Sequence, residues 1–207
     1  GFNMDEKESA TLYGTFIALV FFTPFLGGLI ADRYLGYRRS IILGGLLMGA
    51  GYCMMGIHNL NMLYLSMSLV IIGNGFFKPN ISTLLGNVSS TPQHMHQKDE
   101  GYNIFYMGIN IGAFVCNFVA AYLRNEYGWG YAFAAAGVGL VIGMIVLASA
   151  LKHVKEGDIK KEAQKEDMSL SQILGYVFLP ALIAAVIGWI VPGSIFNTTI
   201  MGSKAND

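Results

Sequence analysis

The charged residues of this chain are bunched, and the long uncharged stretches between them constrain the fold more than any other feature. Residues 9–31, 40–77, 79–97, 101–123, 127–151 and 168–203 carry no charge at all. A helix that crosses a bilayer needs about 20 mostly apolar residues, and these gaps supply that length repeatedly. The first predicts a span over Thr11–Ala31. The 40–77 gap is too long for one span and is interrupted by His58-Asn59-Leu60-Asn61, so it divides into Ser40–Ile57 and Met62–Gly86 joined by a tight turn. Further spans follow at Tyr102–Leu123 and Tyr131–Leu151. A sixth apolar stretch, Leu170–Val191, stops at Pro192-Gly193, a common end to a helix. Membrane β-strands would alternate polar and apolar residues in runs of about 10, which these continuous runs do not. The expected fold class is all-α, a polytopic membrane helix bundle.

Composition excludes the main competitors. Charged residues make up 13% of the 207 residues, about half of the roughly 25% usual in a soluble domain. Thirteen cations balance thirteen anions, and 54% of the chain is hydrophobic, which argues against disorder and against a basic nucleic-acid binder. No hydroxyl, His and carboxylate form a nucleophile–base pair at recognisable spacing, and the four His fall in loops or at helix ends. No enzyme chemistry is therefore indicated. The absence of a GxxxxGK[ST] run leaves an ATP-driven pump unsupported. Cys53 and Cys116 lie within spans, so neither a disulfide framework nor a metal cluster is indicated. His94 and His96 have no third ligand near them in the sequence.

Loop charge sets the orientation. One side collects nine cations, Arg33, Arg38, Arg39, Lys98, Lys152, Lys155, Lys160, Lys161 and Lys165; the other collects Lys7, Arg124 and Lys204. The first side is expected to be cytoplasmic, with both termini outside. Residues 152–168, with five Lys and five Asp or Glu, read as a solvated charged linker. The chain begins at Gly1, and its first span enters from outside with no signal peptide before it. It is therefore expected to be part of a longer protein with a helix upstream.

Within the first cytoplasmic loop, Gly36 suits a short turn and the arginines suit an anionic membrane face. Asp32 falls at a helix C-terminus, where the macrodipole disfavours a negative charge, so it needs a partner: a local Arg or another helix N-terminus. Gly45 and Gly49, Gly108 and Gly112, and Gly139 and Gly143 are small-xxx-small pairs that let membrane helices approach closely.

Lys78 is the one cation inside a span. Placing Lys at a membrane-helix centre costs about 2.5–3.5 kcal/mol on insertion scales. It either snorkels to the cytoplasmic face, roughly 12 Å away at 1.5 Å per residue, or faces a cavity. Pro79 cannot donate to the carbonyl of Gly75, which leaves an acceptor free nearby. Asn74 and Ser82 flank Lys78 by one turn on each side. On the next span Asn103, Tyr106, Asn110 and Asn117 share one narrow face, as either interhelical glue or a cavity wall. A cavity holding a cation with amide and phenol groups suits an anionic or zwitterionic solute.

Three motifs carry a family resemblance. GGLIADRYLGYRRSIILGGLLMGAG (Gly27–Gly51) and DEGYNIFYMGINIGAF (Asp99–Phe114) resemble the two signatures of the proton-dependent oligopeptide transporters, the peptide-transporter branch of the major facilitator superfamily. GNGFFKPN between them resembles the family's fourth-helix lysine motif. The resemblance implies helices 2 to 6 of a twelve-helix major facilitator fold plus one inserted helix. Residues 1–151 would be an N-terminal transporter half lacking helix 1, 152–168 a cytoplasmic linker, and 169–207 an inserted helix with an external loop. The implied function is proton-coupled symport of di- and tripeptides by alternating access across the bacterial cytoplasmic (inner) membrane. Its implied partners are small peptides, protons, the lipid bilayer and the remainder of the same chain, with no nucleic acid; a proton gradient would supply the energy, with no cofactor and no metal.

Carried over by motif, Lys78 would hold the peptide carboxylate and take part in proton coupling, and Asn110 and Tyr106 would line the pocket for the peptide amino terminus. Near Phe21 the family often has a tyrosine, and here the hydroxyl is missing. Asp32, Arg33, Gly36 and Arg39 would form the cytoplasmic gate motif. The family's ExxER-type motif would precede Gly1. Two other readings use the same residues: a major-facilitator transporter of another small anion, such as nitrate or a carboxylic acid, and a non-transporting membrane subunit.

Overall fold

The first five apolar stretches each form a helix, longer than the uncharged core requires because polar residues cap the ends. In a computed structural model, which describes residues 4–57, 59–150 and 154–158 and scattered positions from 169 to 204, these are α1 (Glu6–Ile30), α2 (Tyr37–Met54), α3 (Leu60–Ser89), α4 (Lys98–Glu126) and α5 (Trp129–Ala150). α1 starts five residues before the expected Thr11 because Asp5 and Glu8 close a capping box: Asp5 accepts from the backbone N–H of Glu6 at 2.8 Å, and Glu8 accepts from that of Asp5 at 3.4 Å. Asn59, read as part of a turn, is also the N-cap of α3, accepting from Asn61 N–H at 2.9 Å.

Four of the five are long and apolar enough to cross a membrane: α1 with the turn that follows it, α3, α4 and α5. α2 is shorter, at 18 residues, and begins Tyr37-Arg38-Arg39. It packs between α3 and α5, while α3 packs against α1 on its other side and α5 against α4. The lateral order is thus α1, α3, α2, α5, α4.

Glycine makes the two contacts of α3 possible. A Cβ on Gly27 of α1 would collide with the Gly75 carbonyl of α3. One on Gly44 of α2 would lie 2.6 Å from the Gly73 carbonyl and 2.7 Å from the Phe77 nitrogen. With backbones this close, side chains reach across to carbonyls. Thr23 Oγ1 donates to Ile71 O at 2.9 Å, and Asn74 Nδ2 to Val20 O at 2.9 Å. The fully buried Asn80 donates to Phe76 O at 2.7 Å and to Gly27 O at 3.3 Å. Lipid offers no hydrophobic drive between helices, so close packing and such bonds carry the association. Pro79 lies inside α3 without ending it. The Gly75 carbonyl that it frees sits against Gly27 of α1, not open beside Lys78.

The small-xxx-small pairs divide. Gly45 lies under Met144 of α5, and Gly49 leaves room for a methyl 3.8 Å from Val141. Gly108, Gly112, Gly139 and Gly143 face open space in the described structure. Small residues one turn apart mark a helix face that can pack closely; they do not say whether a neighbour is there. α4 has no buried residue anywhere along it.

Beyond α5 the chain separates into a first unit, Gly1–Glu162, and a second, Ala163–Asp207. The expected solvated linker is only partly that. Lys155–Gly157 form a 3₁₀ turn packed on α3, with Gly157 buried, because Asn87 donates to the Gly157 carbonyl at 3.0 Å. In the second unit Leu170–Ile173 form a helical turn, and Thr199–Ile200 pairs antiparallel with Ser203–Lys204. Most of the expected Leu170–Val191 span lies outside the described residues.

A pair of substitutions separates working glycines from idle ones. Gly27→Ala should lower the thermal midpoint by the equivalent of about 1–3 kcal/mol, the usual cost of overpacking. Gly108→Ala should leave it unchanged or raise it by about 1 kcal/mol through helix propensity, as read by thermal unfolding in detergent.

Candidate functional site

Lys78 stands eleven residues before the end of α3, roughly 17 Å at helical rise, which is farther from that end than the expected span implied. Its side chain is exposed and its ammonium lies 5.8 Å from the ring centroid of Phe21 on α1, a cation–π distance. The phenyl face thus receives the cation where the family resemblance placed a hydroxyl. The rest of the polar row is already committed. Asn74 bonds the α1 backbone, and Ser82 Oγ lies 3.5 Å from the carbonyl of Lys78. Among the described residues, no carboxylate pairs with Lys78.

Tyr106 and Asn110 occupy exposed turns of α4, with Asn110 donating to Tyr106 O at 2.9 Å. Tyr106 packs against Tyr102 with ring centroids 6.5 Å apart, and against Phe105 at 5.7 Å. α3 and α4 meet where Tyr102 lies against Gly86 and Gly101 against Ser89, at the basic end of the bundle. Among the described residues, no hydrogen bond or ring contact joins Tyr106 or Asn110 to Lys78. The structure therefore brings Lys78 and Phe21 together, and Tyr106 and Asn110 together, as two separate halves.

Of the candidate gate residues, Asp32 and Gly36 belong to a tighter assembly. After α1, Ala31–Leu35 make one wide π-type turn that ends at Gly36, whose φ of 80° favours glycine. Gly36 N–H bonds Ala31 O at 2.8 Å. Asp32 accepts the hydroxyl of Tyr37, which is 6% exposed. Burial, together with the hydrogen bond and negative charge of Asp32, pushes the Tyr37 hydroxyl up to about 12, with Asn87 opposing. The N-terminus of α2 is capped from a distance: Asp158, in the segment after α5, accepts from Arg38 N–H at 3.2 Å. A side chain at position 36 would put its Cβ 3.3 Å from the same Asp158 oxygen. Around this clasp, Ala31, Tyr37, Ile41 and Leu84 form a buried cluster. Arg39 is exposed beside it.

Among the described residues no three His, Cys, Asp or Glu side chains converge as a metal site. Similarity to known proteins agrees with the fold. A family model described as POT family matches residues 38–179. The chain belongs to the POT family. It is 34% identical over 183 residues to a dipeptide and tripeptide permease A of Klebsiella pneumoniae and 33% identical to that of Escherichia coli, in each case over 86% of this chain and 36% of the relative. A crystal structure of a peptide transporter POT in complex with alafosfalin superposes with a TM-score of 0.70 at 30% identity, covering 94% of this chain and 40% of that one. The chain thus spans little more than a third of the length of these curated relatives.

As a POT-family member the chain is a multi-pass membrane protein, and the loop after α1 is where the sequence marked the motif but not the partners of its residues. Asp32 needed a partner, and Tyr37 supplies one. Tyr37 stands five residues along in the same motif, and only the unpredicted wide turn brings its hydroxyl back. Asn87 and Asp158 are 50 and more residues away, and nothing local marks them. Asn80 was legible in principle, since Gly73, Asn80 and Leu84 share one face of α3.

The Tyr37 hydroxyl gives a signed test. The folded protein keeps a proton that the unfolded chain releases near pH 10, until about pH 12. Its contribution to stability is therefore complete below 10 and is lost as pH rises through 10–12. Tyr37→Phe should cost about 1.5–3 kcal/mol at neutral pH, the worth of a hydrogen bond to a charged group. It should also flatten the fall in thermal midpoint across that window.

Proposed function

We propose that this chain is part of a proton-coupled symporter of di- and tripeptides that works by alternating access in a bacterial inner membrane. One observation carries the proposal: the Lys78 ammonium, deep along a membrane-length helix, lies against the Phe21 ring and has no carboxylate partner among the described residues. A buried-depth cation with no internal counter-ion is costly, and a peptide carboxylate bound there offsets that cost. The relatives named dipeptide and tripeptide permeases support peptides as the cargo. The structure with alafosfalin supports a peptide-like shape.

Tyr106 and Asn110 then serve the amino-terminal end of the peptide. They stand on a different helix from Lys78, so a bound peptide bridges α3 and α4. Asp32, Gly36, Arg33 and Arg39 belong to the gate that opens and closes one side, with Tyr37 and Asp158 holding its turn. The proton gradient supplies the energy, without cofactor or catalysis. The described carboxylates lie at helix ends and in loops.

Proteoliposomes holding the full-length protein test this directly. An inward pH gradient should drive uptake of labelled dipeptide, and Lys78→Ala should reduce it by at least ten-fold. Phe21→Ala should weaken dipeptide affinity by two- to five-fold, in line with about 0.5–1 kcal/mol for an exposed cation–π contact. Wild-type-like uptake by Lys78→Ala would sink the role given to the lysine. Competition by nitrate or simple carboxylic acids, but not by dipeptides, would favour a different anion as cargo.

A further inference from the structure

A groove of about 440 Å³ runs between α2 and α5, apart from Lys78 and apart from the gate turn. α2 supplies Ile42, Gly45, Leu46, Gly49, Ala50 and Cys53, and Val141, Met144, Ile145 and Ala148 of α5 form the facing wall. The glycines make the floor, with Gly45 under Met144, while Leu46 and Ile145 stand up as exposed rims. No charged side chain lines it.

Its length selects an occupant. From Ile42 to Cys53 is eleven residues, roughly 17 Å of helix. The hydrocarbon core of a bilayer is about 30 Å thick, so the groove is one leaflet deep. A spanning helix of a second copy would need twice that length, whereas a single acyl chain fits it.

The mouth of the groove selects a headgroup. Arg39 and Arg38 precede Ile42 by three and four residues, which puts both on the groove side of α2. Arg39 is exposed, and Arg38 has a buried Nε with no hydrogen-bond partner. The two carboxylates described around this turn are engaged, Asp158 by Arg38 N–H and Asp32 by the Tyr37 hydroxyl. We infer that this groove binds an anionic phospholipid, one tail between α2 and α5 and the phosphate on the Arg38–Arg39 pair. Such a lipid ties α2 to α5 at the end of the bundle where the gate turn sits. This site uses no residue of the Lys78 face but shares Arg39 with the proposed gate, so its test reads lipid binding and not transport.

The purified full-length protein, delipidated and titrated with phosphatidylglycerol or phosphatidylcholine of identical tails, tests it by native mass spectrometry and by thermal shift. Phosphatidylglycerol should bind at least five-fold more tightly than phosphatidylcholine, and Arg39→Gln should abolish that preference. Ala50→Phe fills the groove from an exposed position and should remove the tightest phosphatidylglycerol, while Ile142→Phe, on the same helix pair but off the groove, should not. Equal affinity for the two lipids overturns the inference. So does wild-type lipid retention by both Arg39→Gln and Ala50→Phe, or cross-linking of Cys53 to a second copy in place of bound lipid.

Discussion

Everything in this bundle depends on how closely α3 can be approached from both sides. Gly27 meets Gly75 on one flank, and Gly44 meets Gly73 on the other. In hydrocarbon, helices gain nothing by hiding apolar side chains from lipid, so association rests on backbone proximity and on the hydrogen bonds it permits. Thr23, Asn74 and Asn80 supply those bonds to facing or neighbouring carbonyls. The carbonyl that Pro79 leaves without a donor is covered in the same contact, which explains how α3 runs on through a proline.

That seam also determines what is left over. Asn74 points its amide at α1, and Lys78, one turn on, is left with a phenyl face. The polar row of α3 therefore does two jobs. One part holds helices together, and the other stays available. The same division appears at the basic end, where Tyr37, Asp32, Asn87 and Asp158 close a turn on themselves and Arg39 remains exposed.

Much of this was legible from spacing alone. The uncharged gaps located five helices, because a bilayer imposes a length that sequence cannot disguise. Lys78 stood out for the same reason, as a charge where hydrocarbon should be. The loop after α1 stood out by motif, yet its partners Asn87 and Asp158 come from segments that only folding brings near. Residues 154–158 looked like solvated linker because their composition is charged, and composition does not reveal a backbone carbonyl bonded to Asn87. The glycine pairs on α4 and on the far face of α5 were read by the same rule as those of α2, but a small-residue face packs only where a neighbour stands. Whether a polar residue is glue or ligand site was equally open in sequence: Asn74 proved to be glue, and Lys78 did not.

The central claim is that the Lys78 ammonium is held open for the carboxylate of a peptide. Its most direct test is a thermodynamic cycle in the full-length protein, comparing a dipeptide with its C-terminal amide in wild type and in Lys78→Gln. The account predicts that the amide binds wild type at least ten-fold more weakly than the acid, and that the two bind Lys78→Gln equally. An acid-over-amide preference that survives undiminished in Lys78→Gln would contradict it.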